Sequence, residues 1–248
     1  MKEIKLKEFK GFSGSKIFLL QDDQKVFVRK QGNVQRNLER YQALANFCRV
    51  PEIYNVSDDA IDLEYVPGLD IKQYLKYKKI DNLIEFLSNT FKTFSNAVIE
   101  KDYTETYEQK LKWIEQSDLD IKLSQLLKKL PIQLPQSLYH GDFTLENILF
   151  STNSNQFYLI DPLTSDYDSF IFDLAKLRQD LESKWFVRSE TKFLDVQLAN
   201  IQDQVFSNLG IEKNNYLLIL MLLRVYPYCP ANSVEQQFIK REIKRLWK

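Results

Sequence analysis

The stretch Tyr139-His140-Gly141-Asp142-Phe143-Thr144-Leu145-Glu146-Asn147-Ile148-Leu149-Phe150, followed across a polar segment at 151–156 by Phe157-Tyr158-Leu159-Ile160-Asp161-Pro162, decides how the rest of the chain reads. Two short apolar runs separated by a polar turn predict an antiparallel hairpin. In such a hairpin the start of the first strand lies beside the end of the second. Asn147 and Asp161, 14 residues apart in the chain, are therefore expected side by side. An amide oxygen next to a carboxylate is a hard, oxygen-rich pair, the kind that suits Mg²⁺ when phosphate oxygens complete the shell. Asp142 precedes Asn147 by five residues, on the loop leading into the hairpin. It suits a group that orients a hydroxyl and accepts its proton, in a chemistry that otherwise asks for positioning and charge neutralisation.

Upstream, Lys16–Gln21 and Lys25–Lys30 are rich in β-formers and flank the polar turn Asp22-Asp23-Gln24, which predicts two paired strands. Residues 33–46 carry Val34, Leu38, Tyr41 and Ala45 at helical spacing, and Pro51 closes that unit. Ile61–Val66 reads as another strand, stopped by Pro67-Gly68. Beyond it Leu83, Leu87, Phe91, Phe94 and Val98 form one helical stripe. Residues 105–129 and the stretch from Phe172 onward also read as helical, with a break near Tyr226–Pro230. The expected organisation is a strand-rich piece over 1–66 and a helical piece over 67–248 that holds the β-island. The fold class is α+β.

Composition narrows the function classes. The 248 residues hold 34 Lys+Arg against 34 Asp+Glu, so no global field draws the chain to nucleic acid or to an anionic membrane. The amino end MKEIKLKEFKG is charged and lacks the apolar stretch of a signal peptide. The longest apolar run, Tyr216–Leu223, is far short of the ~20 residues a bilayer span needs. Two cysteines, Cys48 and Cys229, supply neither a disulfide framework nor a zinc site. A single histidine excludes histidine-based triads and multi-histidine metal sites. A cytoplasmic protein is expected.

The segment HGDFTLENILF followed by LIDP resembles the catalytic loop and metal-binding strand of the aminoglycoside phosphotransferase and choline kinase families, relatives of the protein kinases. The Asp-to-Asn spacing is also that of the protein-kinase catalytic loop. The resemblance implies a protein-kinase-like bilobal α+β fold, with Asp142 as catalytic base, Asn147 and Asp161 as Mg²⁺ ligands, and His140 as a brace for the loop. Asp173, in an Asp-Leu-Ala element, is expected to hydrogen-bond back to that loop, a role compatible with a simple helix cap. Ser13, in a Gly-Phe-Ser-Gly turn, resembles the phosphate-contacting serine of the family flap. Arg29 resembles the strand cation that binds the α- and β-phosphates, with Lys30 as the alternate. Glu39 is expected to pair with that cation from the helix. The Glu64 carbonyl and the Val66 N–H would read adenine at the interlobe hinge. The resemblance runs from about Gly11 to Leu177. Pro162, after the metal aspartate, departs from the aromatic or Leu-Gly of many relatives.

The reaction implied is transfer of the γ-phosphoryl group of ATP or GTP to a hydroxyl of a small acceptor. From Leu163 to Lys248 there are 11 acidic and 12 basic residues, so the acidic surplus that a polycationic aminoglycoside needs is absent. A sugar is the first choice, and a choline- or aminoglycoside-type acceptor is the alternative. Trp185, Phe186, Tyr226 and Tyr228 are candidate stacking rings, Arg224 is a candidate partner for an acidic group, and Asp166 and Asp168 are candidate metal or substrate contacts. All of these carry bland readings as core aromatics, a structural arginine or solvated turns. A nucleotide-binding pseudokinase scaffold is disfavoured because Asp142, Asn147, Asp161 and a strand cation are all present. A protein kinase is disfavoured because the interval from Asp161 to Asp173 is too short for an activation segment.

Overall fold

A computed structural model of the chain describes residues 3–9, 15–96, 99–114, 119–188 and 194–248. In chain order the elements are β1 (Ile4–Phe9), β2 (Lys16–Gln21), β3 (Val26–Gln31), α1 (Gln35–Leu44), β4 (Ile53–Val56), β5 (Ala60–Glu64), β6 (Gly68–Asp70), α2 (Ile71–Tyr77), α3 (Asp81–Phe94) and β7 (Ile99–Asp102). There follow α4 (Thr104–Lys112), α5 (Leu123–Leu127), β8 (Gln133–Gln136), β9 (Ile148–Ser151), β10 (Gln156–Leu159), α6 (Phe170–Leu181), α7 (Asp195–Leu209), α8 (Asn215–Val225) and α9 (Val234–Leu246).

The chain divides into two compact units. The first comprises Met1–Lys76 and Glu146–Ser165, the second Tyr77–Leu145 and Asp166–Lys248. The expected division after Val66 thus meets one in which the hairpin belongs with the strand-rich part. The reason is a ladder: β6 pairs antiparallel with β9, and β9 with β10, in a three-stranded sheet. Gly68 allows the close approach this needs, because a Cβ there would fall 2.1 Å from the Phe150 carbonyl oxygen. Tyr74 packs against Phe150 and Phe157 behind that sheet.

The first unit is otherwise a five-stranded antiparallel sheet in the order β1-β2-β3-β5-β4. The turn between β2 and β3 is closed by the Asp22 carboxylate, which accepts from the N–H groups of Gln24 and Lys25 at 2.8 Å each. Its core gathers Val34 and Tyr41 near α1 with Ile61 and Leu63 of β5.

The second unit is mainly helical. One apolar cluster joins Tyr103, Tyr107 and Leu111 near α4 to Phe172 and Ala175 of α6, to the whole run Leu217–Leu223 of α8, and to Ile239, Ile243 and Leu246 of α9. That run, the most hydrophobic of the sequence, is core, and among the described residues no helix is long and apolar enough to cross a membrane. One sequence expectation is corrected here. Residues 105–129 are not one helix but the short α4 and α5. Pro135 lies in β8, whose partner among the described residues is β7; a strand with a single neighbour has a free edge that accommodates a residue without an N–H.

Candidate active-site residues

In the first unit the hairpin forms as its pattern predicts. Ile148 faces Leu159, Phe150 faces Phe157, and the Ile160 N–H donates to the Asn147 carbonyl at 2.9 Å. Asn147, at the end of a 3₁₀ turn, is thereby held opposite the residue before Asp161. Asp161 has left-handed backbone, φ 54°, a conformation unusual for a non-glycine residue that aspartate tolerates better than most. It is fixed by α1. The Asp161 N–H donates to the Tyr41 hydroxyl at 2.8 Å, and the Asn37 amide donates to the Asp161 carboxylate at 2.9 Å and to the Pro162 carbonyl at 2.7 Å. Asn37 and Tyr41 are one helical turn apart on the buried face of α1. Burial, and then the nearby Asp161 charge, push the Tyr41 phenol far above its ordinary range, so it stays protonated.

The cation beside Asp161 is Lys30, whose ammonium pairs with the same carboxylate oxygen that Asn37 reaches. Arg29, the first choice from sequence, points elsewhere. It stands directly across the ladder from Asp62, and its guanidinium binds the Asp62 carboxylate at 2.6 and 2.8 Å and Glu3 at 2.7 and 2.9 Å. Successive strand side chains alternate faces, so once Arg29 meets Asp62, Lys30 must face the other way. Glu39 does not pair with either cation. It is exposed and accepts from Gln35 on its own helix at 3.0 Å, because it lies two residues beyond Asn37 and so on the far side of α1. Glu64 ends β5, its N–H donating to the Glu52 carbonyl at 2.8 Å, and Val66 is buried in the link to β6. Ser13 lies outside the described residues.

The donor set fits Mg²⁺ by chemistry. Asp161 offers a carboxylate already facing a cation, and Asn147 stands across the hairpin from the residue before Asp161. Among the described residues no group of three or more His, Cys, Asp and Glu gathers into a metal cage. A two-ligand protein set matches a metal completed by water and phosphate.

In the second unit the loop before the hairpin is anchored to α6. The Asp173 carboxylate accepts from the N–H groups of His140 and Gly141, the latter at 3.0 Å. Asp180, two turns further along the same helix face, accepts from the Leu145 N–H at 2.7 Å. The His140 ring is fully buried, edge-on to Phe143, and its Nδ1 accepts from the Asp142 N–H at 3.4 Å. Phe143 in turn packs on Phe91 and Phe94 of α3. Between the two anchors α6 places Lys176, whose ammonium stands 3.2 Å from the Asp142 carboxylate. Desolvation by itself raises the Asp142 pKa. The charges of Lys176, Arg224 and His140 and a hydrogen bond from Lys176 outweigh it and hold the carboxyl below its ordinary range.

Lys176 and Asp180 were missed in the sequence, although a signal existed. Asp173, Lys176 and Asp180 recur at three- and four-residue steps, so polar residues occupy one stripe of a buried helix. Other candidates fall to structural roles. Trp185 is buried against Phe238 and Arg188, and Tyr226 is core, whereas Tyr228 is exposed. Asp168 holds Lys101 at 2.7 Å, the Tyr103 hydroxyl at 2.9 Å and Gln136 at 2.5 Å, and Asp166 is exposed. A surface depression of about 410 Å³ lined by Asn96, Ser137, Tyr139 and Asp168 has that engaged carboxylate as its charged group, and belongs to the packing of the β7–β8 pair.

A model of the phosphotransferase enzyme family matches residues 6–202. No curated protein matches the chain. Among solved structures, aminoglycoside phosphotransferase APH(4)-Ia shares 10% identity at a TM-score of 0.69, over 99% of this chain and 93% of that one. Choline kinase LicA from Streptococcus pneumoniae shares 16% at 0.57, over 99% and 93%, and LicA in complex with AMP shares 17% at 0.59, over 99% and 91%. The ethanolamine kinase of Plasmodium vivax shares 12% at 0.52, over 97% and 81%. At these identities the likeness is one of fold, the protein-kinase-like α+β fold expected from the hairpin.

Proposed function

Because this chain belongs to the phosphotransferase enzyme family, we propose that it is a small-molecule kinase moving the γ-phosphoryl group of ATP to a hydroxyl of a sugar-like acceptor with Mg²⁺, with Asp142 as the base. The observation that carries the reading is the state of Asp142. Its loop is tied to α6 at three backbone N–H groups, and its carboxylate is kept ionised by surrounding cations. A base that is anchored and charged is one prepared to accept a proton.

The roles divide by unit. In the first, Lys30 rather than Arg29 is assigned to the nucleotide phosphates, and Asn147 and Asp161 would hold the metal, which when bound neutralises phosphate charge. The Glu64 carbonyl and Val66 N–H are assigned to the adenine edge. GTP as donor is the alternative. In the second, Asp142 aligns the acceptor hydroxyl. The hydroxyl oxygen forms a bond to the γ-phosphorus as the bond from that phosphorus to the β,γ-bridging oxygen breaks. The electron pair leaves with the nucleoside diphosphate, and the hydroxyl proton passes to the Asp142 carboxylate, which returns it to solvent. Cytoplasmic placement, where nucleoside triphosphate is at hand, accords with two free thiols.

Asp142→Asn tests the assignment. Turnover of ATP with a sugar panel should fall by about 10³-fold, while nucleotide affinity, measured by titration calorimetry, stays within about threefold. Undiminished turnover in this variant would remove Asp142 from the reaction.

A further inference from the structure

We propose that the face of the helical unit around Asp142 is an anion-binding subsite built from Lys110, Lys176 and Arg224, and that the acceptor carries a phosphate or carboxylate besides its hydroxyl. The proposal rests on the reading of Asp142 as the base of phosphoryl transfer.

Three helices each contribute one cation. Lys176 of α6 is buried, 7% exposed, and meets the Asp142 carboxylate at 3.2 Å. Arg224, near the end of α8, lays its guanidinium over the Tyr167 ring at 4.5 Å and, among the described residues, makes one hydrogen bond, to the Met221 sulfur at 3.3 Å. A thioether is a weak acceptor, and a guanidinium has five N–H donors. Lys110 of α4 has its ammonium 5.9 Å from the exposed Tyr228 ring. Among the described residues no carboxylate lies within ion-pair reach of Lys110 or Arg224. The cations are close enough to feel one another: burial first, then the charges of Arg224 and Lys176, depress the Lys110 ammonium. The same Arg224 charge acts on both Asp142 and Asp173.

The charge balance is positive. Lys176 and Arg224 act on Asp142, Arg224 also acts on Asp173, and Lys110 lies in the field of both cations; burial pushes Asp173 up to about 7, so near neutrality it carries only part of a charge. Asp166, beside Tyr167, is exposed and bridges to none of the three. A pair made only to balance Asp142 needs one cation. Two more within each other's field, partly desolvated, cost free energy that a bound anion recovers. A bidentate phosphate or carboxylate matches the open fork of Arg224. An anion there also offsets the field that holds Asp142 low and so raises its readiness to take a proton. A polycation or quaternary amine would instead meet three like charges.

The test is calorimetric titration of the full chain with glucose 1-phosphate, glucuronic acid, glucose and glucosamine, under saturating ADP so that nucleotide phosphate positions are filled. The two anionic sugars should bind at least tenfold more tightly than glucose or glucosamine, and comparing them tells phosphate from carboxylate. Arg224→Gln and Lys110→Gln should each weaken the anionic sugars at least tenfold. Lys244→Gln, which removes an amine 76% exposed on α9, should not. With MgATP, the preference in kcat/KM for anionic over neutral acceptors should shrink in the first two variants through KM. Equal binding of glucose or glucosamine, wild-type anion affinity in Lys110→Gln, or equal weakening by Lys244→Gln overturns the subsite. Anion binding without transfer to any acceptor keeps the subsite and overturns the transfer reading, and transfer to neutral sugars without anion binding does the reverse.

Discussion

Lys30 and Arg29 are sequence neighbours with different fates, and the cross-strand partner decides between them. Arg29 faces Asp62, and Lys30 faces Asp161. Lys30→Ala is expected to raise the KM for MgATP at least tenfold, the loss of one charge-assisted contact to phosphate; Arg29→Ala should change it less than about threefold. Steady-state kinetics with both variants reads the difference, and the reverse order would return the phosphates to Arg29. Asp173 gives a second residue-scale expectation. Burial raises its carboxyl to about 7 against the hydrogen bonds from His140 and Gly141 and the charge of Arg224, with Asp142 adding to the rise. The folded chain then keeps a proton that the unfolded chain loses near pH 4. The stabilisation is complete below about pH 4 and is lost as pH climbs through 7. Asp142 has the opposite sign, its depressed carboxyl contributing above about pH 4 and losing that contribution below it. Urea unfolding between pH 5 and 8 should show stability falling with pH in the native chain and a flatter profile in Asp173→Asn. A native profile already flat would mean that Asp173 is ionised throughout.

At the scale of elements, α1 and α6 each act as a splint for one of the two proposed site segments. Helix α1 touches the segment 161–164 through Asn37 and Tyr41 and through Arg36, whose guanidinium and carbonyl engage the Thr164 main chain. That clasp holds a left-handed aspartate that the local sequence alone would not favour. Asn37→Ala should therefore raise the KM for MgATP about tenfold, since a buried hydrogen bond to a charged group is worth ~1.5–3 kcal/mol. Glu39→Ala, on the outer face of the same helix, should leave kinetics unchanged. Should Glu39→Ala prove the more damaging, α1 would have to bind its strand through that carboxylate. Helix α6 does the corresponding work for the Asp142 loop with Asp173 and Asp180, which is why nearly all of its residues are buried.

For the molecule as a whole, equal numbers of acidic and basic residues leave function to local fields. The groups proposed for the nucleotide and the groups proposed for the acceptor fall in different compact units, joined by the chain at Lys76-Tyr77, Leu145-Glu146 and Ser165-Asp166. Chelation with EDTA should abolish phosphoryl transfer, and excess Mg²⁺ should restore it, while the thermal midpoint shifts by no more than a degree or two. The proposed two-ligand set Asn147 and Asp161 is too small to hold the fold together. A large loss of thermal stability on chelation would instead indicate a structural metal.

The amino-acid sequence determined what is local. The hairpin, the adjacency of Asn147 and Asp161, the strand pair β2–β3, the α3 stripe and the α+β class follow from periodicity and turn chemistry, which act over a few residues. The Asp173 anchor was legible through the resemblance of its Asp-Leu-Ala element to that of the family. Tertiary structure decided what depends on register and helix rotation. The pairing of Arg29 with Asp62 across a ladder 33 residues wide in sequence, the outward turn of Glu39, the clasp of Asn37 on Asp161 and the convergence of Lys110, Lys176 and Arg224 leave no trace in any short window. They arise because packing the apolar faces of helices and sheets fixes the rotation of each element, and that rotation, not local preference, selects which polar residues meet.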